Sequence, residues 1–445
     1  MRRSIPHCVV AFLACAWALA PGAMALPSYA RQTGLPCSGC HTTPPELNNG
    51  GRLFKLLGYT DRAENKSITA EPDTRRAALN MLENLPLSVF LEASITGTKT
   101  PQPGTQNWNA EFPQDVSLFL AGAWASHVGS FLQITYDPQG DHFSMDNTDI
   151  RFASKTKVAN KELDYGLTLN NNPTLEDLWN ATPAWGYPFI ANDSAPGPAA
   201  SPIINGLLAT DVAGLGGYAM YDQHVYFAGT MYRSDHIGDT QPTTGQCCSY
   251  TIRGIAPYWR LALQQTGRTA NLEVGAYGIH MKSTPGGVTG AEDSYTDFGP
   301  DIDYERTIGK DVVSVRATYV RENAALVASA ANGAASPGPH HLNASNVNAE
   351  YHFGNRFSGA AGWFLTDGTN DPLLYAQVPV SGSANGGLRS EGFITNLSYW
   401  PFQNLDLAAQ YTNYTRFNGG SANYDLAGRN ASDNNTVYLL ARFVF

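Results

Sequence analysis

From residue 85 to the C-terminal Phe445, apolar and polar residues alternate with a period of two, and no run of about 18 apolar residues follows the N-terminus. Val313, Val315, Ala317 and Tyr319 take one face, with Ser314, Arg316 and Thr318 on the other. Leu405, Leu407, Ala409 and Tyr411 repeat the pattern against Asp406, Gln410 and Thr412. At the C-terminus, Val437, Leu439, Ala441, Phe443 and Phe445 alternate with residues that include Thr436 and Arg442. A helical membrane bundle is excluded, because it needs long apolar runs. Strands that give one face to lipid and the other to water satisfy the pattern. Composition agrees: 15% of residues are charged, where globular domains average about 25%, and the chain carries 43 Gly and 22 Tyr at a mean hydropathy of −0.25. A large soluble β-sandwich array is the alternative.

Sixteen strands are predicted, at 85–96, 113–125, 127–136, 145–157, 161–170, 209–221, 223–232, 255–265, 270–280, 292–308, 310–322, 342–353, 356–365, 389–401, 403–415 and 433–445. Long connections, such as 97–112, 171–208, 323–341 and 366–388, alternate with short ones. Long external loops and short periplasmic turns are expected of an outer-membrane barrel. The predicted fold is therefore mainly β, a 16-stranded antiparallel transmembrane β-barrel spanning 85–445, set in the lipid outer membrane. Tyr221, Tyr258, Trp259, Tyr399 and Trp400 fall near strand ends, where aromatic girdles sit. Sixteen strands enclose a lumen rather than a side-chain core. The net charge of −10, without a basic cluster, excludes nucleic acid as a partner.

Residues 1–25 read as a secretory signal peptide: Arg2 and Arg3, an apolar segment from Val9 to Leu19, then Ala23-Met24-Ala25 as the cleavage site. Export permits both disulfides and covalent haem. Soon after comes Cys37-Ser38-Gly39-Cys40-His41, the C-x-x-C-H pattern of c-type haem attachment. Two thiols at that spacing reach the two vinyl groups of one porphyrin edge, and His41 turns its imidazole onto the iron as the proximal ligand. Zinc would need further ligands, but His41 is the only His between residues 26 and 84. A redox dithiol would need a βαβ setting that the sequence lacks. The expectation is one covalently bound haem in a small α-helical c-type cytochrome domain over 26–84. Its helices are predicted at Glu46–Leu57, closed by Gly58, and more weakly at Ala70–Leu85. About 60 residues make a marginal independent core, so this segment is expected to fold back into the lumen as a plug. Arg52, Lys55, Arg75 and Arg76 are candidates for pairing with haem propionates, against the plainer reading of solvated charge. The distal ligand is left open between Met81, a barrel histidine such as His127, His224 or His352, and an open position.

The stretch Tyr29-Ala30-Arg31-Gln32-Thr33-Gly34, then Cys37 to His41, Pro45-Glu46-Leu47 and Gly51-Arg52-Leu53-Phe54-Lys55-Leu56-Leu57-Gly58-Tyr59, resembles the fused outer-membrane cytochrome–porins of iron-oxidising bacteria. The match covers residues 28–60; beyond residue 85 the resemblance is architectural. It implies that extracellular Fe(II) donates one electron to the haem, which passes it to a periplasmic cytochrome or other carrier. Haem attachment then falls to Cys37 and Cys40, and proximal ligation to His41.

Acidic loops suit a cationic donor. Asp141, Asp235 and Asp239, with His142, His236, His340 and His341, are candidate iron-docking groups, against ordinary solvated acids. Two other classes compete: electron export to an external acceptor, and a transport porin with a haem plug. Cys247-Cys248, in an expected external loop, are either a loop clip or inert, or carry a redox or metal role.

Overall fold

The computed structural model describes residues 26–61, 66–68, 79–81, 85–138, 141–182, 186, 188–190, 192, 194–208, 212–235, 251–285, 290–354 and 356–445. The expected signal peptide, Arg75, Arg76, His236, Asp239, Cys247 and Cys248 lie outside these.

The strands are β1 (Lys66–Ile68), β2 (Leu79–Met81), β3 (Leu87–Thr98), β4 (Asn109–Glu111), β5 (Val116–Leu120), β6 (Gly122–Ala125), β7 (Val128–Asp137), β8 (His142–Val158), β9 (Lys161–Asn170) and β10 (Val212–Tyr221). They continue as β11 (Val225–Ser234), β12 (Ala256–Thr266), β13 (Ala270–Ser283), β14 (Asp293–Ile308), β15 (Asp311–Ala325), β16 (Pro339–Phe353), β17 (Phe357–Gly368), β18 (Ser390–Phe402), β19 (Leu405–Arg416) and β20 (Thr436–Val444). β1 and β2 pair only with each other; the remainder form one closed antiparallel barrel. β4, β5 and β6 are pieces of a single stave, pairing with β3 on one side and β7 on the other, which makes sixteen staves. The predicted strand at 113–125 falls into two pieces, β5 and β6, which part at Ala121. Pro113, which has no N–H to give the ladder, lies in the gap between β4 and β5.

Closure runs through β20 against β3, in register from Thr436↔Thr98 to Val444↔Phe90. Val89 and Phe445 extend the seam by exchanging both backbone hydrogen bonds, at 2.7 and 2.9 Å. Each stave presents the predicted alternation. In β12, Pro257, Trp259, Leu261 and Leu263 point outward while Tyr258, Arg260 and Ala262 are buried within. Val315 and Tyr319 face out where Ser314 and Arg316 face in, and Leu439 and Phe443 face out where Tyr438 and Leu440 face in. No described helix is long and apolar enough to cross a membrane. The outward apolar band of the closed barrel is the lipid-facing surface. Two girdle expectations are corrected. Tyr258 lies inward in an apolar cluster with Tyr232, Tyr277 and Ile279, and Trp400 lines a lumen cavity.

Among the described residues, two segments lie inside the lumen. The connection between β9 and β10, expected as an external loop over 171–208, turns inward. Its Glu176, Asp177 and Trp179 are fully buried, held by Arg151 and Arg260 of the wall. Also inside are two short helices, α1 (Pro27–Thr33) and α2 (Asn49–Leu56). Asn48 caps α2 by accepting from the Gly50 and Gly51 N–H groups, so this helix begins three residues later than Glu46. Within the region predicted as a second helix, residues 79–81 form β2 instead.

An arginine replacing Leu261, at the middle of β12 and 46% exposed on the lipid face, should destabilise the barrel by about 2–4 kcal/mol. The same change at Ile255, just outside that strand, should cost about 0–1 kcal/mol. Reversible denaturant unfolding in lipid vesicles measures both; equal costs would place this face away from lipid.

Candidate functional site

Cys37–Gly39 form a single 3-10 turn. It closes through hydrogen bonds from the Cys40 and His41 N–H groups to the Cys37 carbonyl, at 3.0 and 2.9 Å. Residues three and four apart along such a turn share a side, so Cys37, Cys40 and His41 line one cavity of about 450 Å³ between the N-terminal segment and the wall. Neither Cys37 nor Cys40 is in a disulfide. Burial pushes the Cys37 thiol up to about 12, so it is held in the protonated form.

His41 is oriented by its own loop. Its Nδ1 lies 3.0 Å from the Glu46 carbonyl, and because a carbonyl only accepts, Nδ1 carries the proton. Burial lowers the imidazole to about 4, so the ring is neutral and Nε2 keeps its lone pair. A donor bond from one ring nitrogen to a backbone carbonyl is how proteins fix the tautomer of a metal-binding histidine.

The surroundings are aromatic on one side and charged at the rim. Tyr29, Phe54 and Tyr59 form a trio, with Tyr29 edge-on to Phe54 at 5.0 Å and stacked on Tyr59 at 5.7 Å. Phe90, Phe119 and Phe131 of the wall complete the apolar lining. The segment is fastened to the barrel along its length. Ser28 N–H donates to Ser88 Oγ (2.9 Å), Cys37 N–H to Gln403 Oε1 (2.9 Å), Thr42 Oγ1 to Glu305 Oε1 (2.7 Å) and Tyr59 Oη to Asp149 Oδ2 (2.6 Å). Arg52 donates to Glu305 at 3.2 Å and lies 3.7 Å over the Trp179 ring. Lys55 donates to the Asp177 carbonyl (2.6 Å) and Asn180 Oδ1 (2.8 Å). Arg52 and Lys55 are thus buried rather than solvated: Arg52 joins the segment to β14 and to Trp179, and Lys55 joins it to the inward-folded 171–182 stretch.

The remaining candidates disperse. Met81 lies in β2, its backbone opposite Lys66. His127 is held at the barrel rim by the Ala153 carbonyl, 3.0 Å from Nδ1, and His224 N–H closes the short turn to Tyr221. His352 alone of the three approaches the C-x-x-C-H loop, with Nδ1 2.9 Å from Thr43 Oγ1. Of the loop groups, Asp141 accepts from Tyr136 Oη (2.7 Å), His340 Nε2 lies 2.8 Å from Asp371, and His341 Nδ1 lies 2.9 Å from Thr369 Oγ1. Among the described residues they form no cluster of three metal-ligating side chains. Among the described residues such clusters occur inside the lumen, at Glu46–Glu350–His352 and Glu273–Asp301–Asp303. Sequence reading missed both, since their members are far apart in the chain. The one available signal was that Glu350 and His352 share the lumen-facing parity of β16.

No family model and no curated relative matches the chain. Among solved structures it is similar to Salmonella typhi OmpF in complex with daunomycin, at 12% identity and a TM-score of 0.48, covering 81% of this chain and 97% of that one. The outer membrane channel DcaP of Acinetobacter baumannii gives 12%, 0.46, 81% and 96%. The anion-selective porin from Comamonas acidovorans gives 9%, 0.45, 81% and 98%. In fold the chain is porin-like, a closed sixteen-strand antiparallel barrel.

Gly51 of α2 packs directly on the Cys40 backbone, where an added Cβ would meet the Cys40 carbonyl oxygen at 2.1 Å. Gly51→Ala should therefore force the helix and the C-x-x-C-H loop apart, costing about 1–3 kcal/mol of local stability. Native-state hydrogen exchange should show faster exchange over residues 37–58 with the strands unchanged; unaltered exchange there would contradict this packing.

Proposed function

We propose that this protein is an outer-membrane cytochrome–porin that binds one c-type haem in the lumen and carries single electrons between extracellular Fe(II) and a periplasmic carrier. The observation that carries the reading is the loop geometry: two thiols and the free Nε2 of a tautomer-fixed histidine face one partly apolar cavity. Its volume, about 450 Å³, falls within the range of small-molecule and cofactor pockets. Cys37 and Cys40 would hold the haem through thioethers and His41 would ligate its iron; bound there, the group supplies a one-electron acceptor. The protein's own part is to keep His41 neutral and pointed, to wall the cavity with Tyr29, Phe54 and Phe119, and to hold the whole segment against the strands. Met81 remains the candidate distal ligand that the sequence offers.

A transport channel is the reading that the barrel architecture alone favours. Against it we set the inward-folded 171–182 stretch and residues 26–61, which are packed inside the barrel. Electron export would use the same site with the opposite potential difference.

The protein purified from a host with haem-attachment machinery should retain haem on a denaturing gel, and Cys37→Ala, Cys40→Ala should abolish this. Anaerobic mixing with Fe²⁺ in a stopped-flow spectrometer should reduce the haem. Absence of reduction at every pH where the barrel stays folded, together with steady conductance across a planar bilayer, would favour the channel instead.

A further inference from the structure

We propose that Glu46, Glu350 and His352 form a binding site for a divalent first-row transition-metal ion, joining the N-terminal segment to the barrel wall. Their ligating atoms lie within 4.8 Å of one another, and the three residues are 1%, 3% and 3% exposed. Glu350 and His352 sit two apart on β16, so both project into the lumen, and Glu46 comes from the loop that follows His41.

The site carries buried acceptors that the protein leaves unsatisfied. Glu46 Oε1 accepts from Ser314 Oγ (3.1 Å) and from Arg316, but Glu46 Oε2 has no hydrogen-bond donor. Glu350 Oε2 likewise has none, and lies 3.2 Å from His352 Nε2. Buried carboxylates in native proteins are paired, hydrogen-bonded or bound to metal, because stripping their water is costly. Local charge points the same way. Glu46 and the neighbouring Asp303, whose carboxylate oxygens also lack donors, share the guanidinium of Arg316, while Glu350 has the imidazole of His352 beside it. A dication supplies the balance. The second acidic cluster differs: at Glu273–Asp301–Asp303 the Arg260 guanidinium already donates to Glu273 and Asp301.

The donor set selects the metal. Two carboxylates and one imidazole suit Mn²⁺, Fe²⁺, Co²⁺ or Zn²⁺, whereas Ca²⁺ and Mg²⁺ prefer all-oxygen shells. Three protein ligands leave positions for water, and water has access from two sides. Glu350 lines the cavity of about 450 Å³, His352 a second of about 220 Å³, and Thr43 borders both. Glu46 also accepts the Nδ1–H of His41 through its carbonyl. Occupancy would therefore be felt at His41, a corollary that rests on the haem reading; the metal site itself does not.

The test is equilibrium dialysis of the full chain in detergent micelles, after chelator treatment, against Co²⁺. One Co²⁺ per chain is expected, resistant to excess Mg²⁺ or Ca²⁺. Glu350→Gln and His352→Gln should each weaken binding at least about tenfold, while the loop variant Asp141→Asn leaves it unchanged. Heat-modifiable gel migration reports whether each variant is folded. Should a variant fail to fold, the native protein still decides: its thermal midpoint should rise with Co²⁺ and not with Mg²⁺. No stoichiometric binding, binding unchanged in both variants, or no rise in midpoint would overturn the site. Bound metal is read directly and haem reduction is not, so this site and the electron-transfer function fail separately.

Discussion

In hydrocarbon there is no water to satisfy a backbone N–H or C=O, so a sheet that spans a membrane must have no edge. Everything else in this protein follows from the seam between β3 and β20. Once Thr98 pairs with Thr436 and Phe90 with Val444, each stave has two neighbours and the alternation acquires an inside and an outside. The outside takes Leu261, Val315 and Leu439. The inside takes Arg151, Arg260, Arg316 and their carboxylates, which no lipid-facing surface would accept.

That inward charge then governs what fills the barrel. A sixteen-stave lumen is too wide for wall side chains to meet across it. Arg151 finds its counter-charges in Asp149 of its own strand and Glu176 of the inward-folded stretch, and Arg260 finds Asp177 there as well as Glu273 on β13 and Asp301 on β14. Residues 26–61 dock against this second layer, through Arg52 over Trp179 and Lys55 on the Asp177 carbonyl. Close approach is permitted where the wall is bare: Gly129 lies under the Gly58 carbonyl, at 2.3 Å from where a Cβ would stand.

The staves were legible in the sequence because period-two burial is local, and sixteen segments could be counted from residues such as Val313 to Tyr319 without knowing any partner. The C-x-x-C-H turn was legible for the same reason, its three side chains being fixed by one turn of chain. What failed was whatever depends on pairs distant in sequence. The 171–208 connection reads as a polar external loop, since Glu176 and Asp177 look solvated until Arg151 and Arg260 are known to face them. Arg52 and Lys55 look like surface charge for the same reason. Tyr258 has the composition of a girdle residue, but its parity on β12 turns it inward. Glu46, 304 residues before Glu350, gave no sign of meeting it.

Glu46 shows why filling the lumen and operating a site within it are one problem. Its carbonyl fixes the tautomer of His41 and its carboxylate engages Ser314 and Arg316 of β15, so the C-x-x-C-H loop takes its bearing from the wall. Displacing the segment would strip Arg316 of that carboxylate and Glu305 of Arg52, so the buried charge of the wall holds residues 26–61 in place.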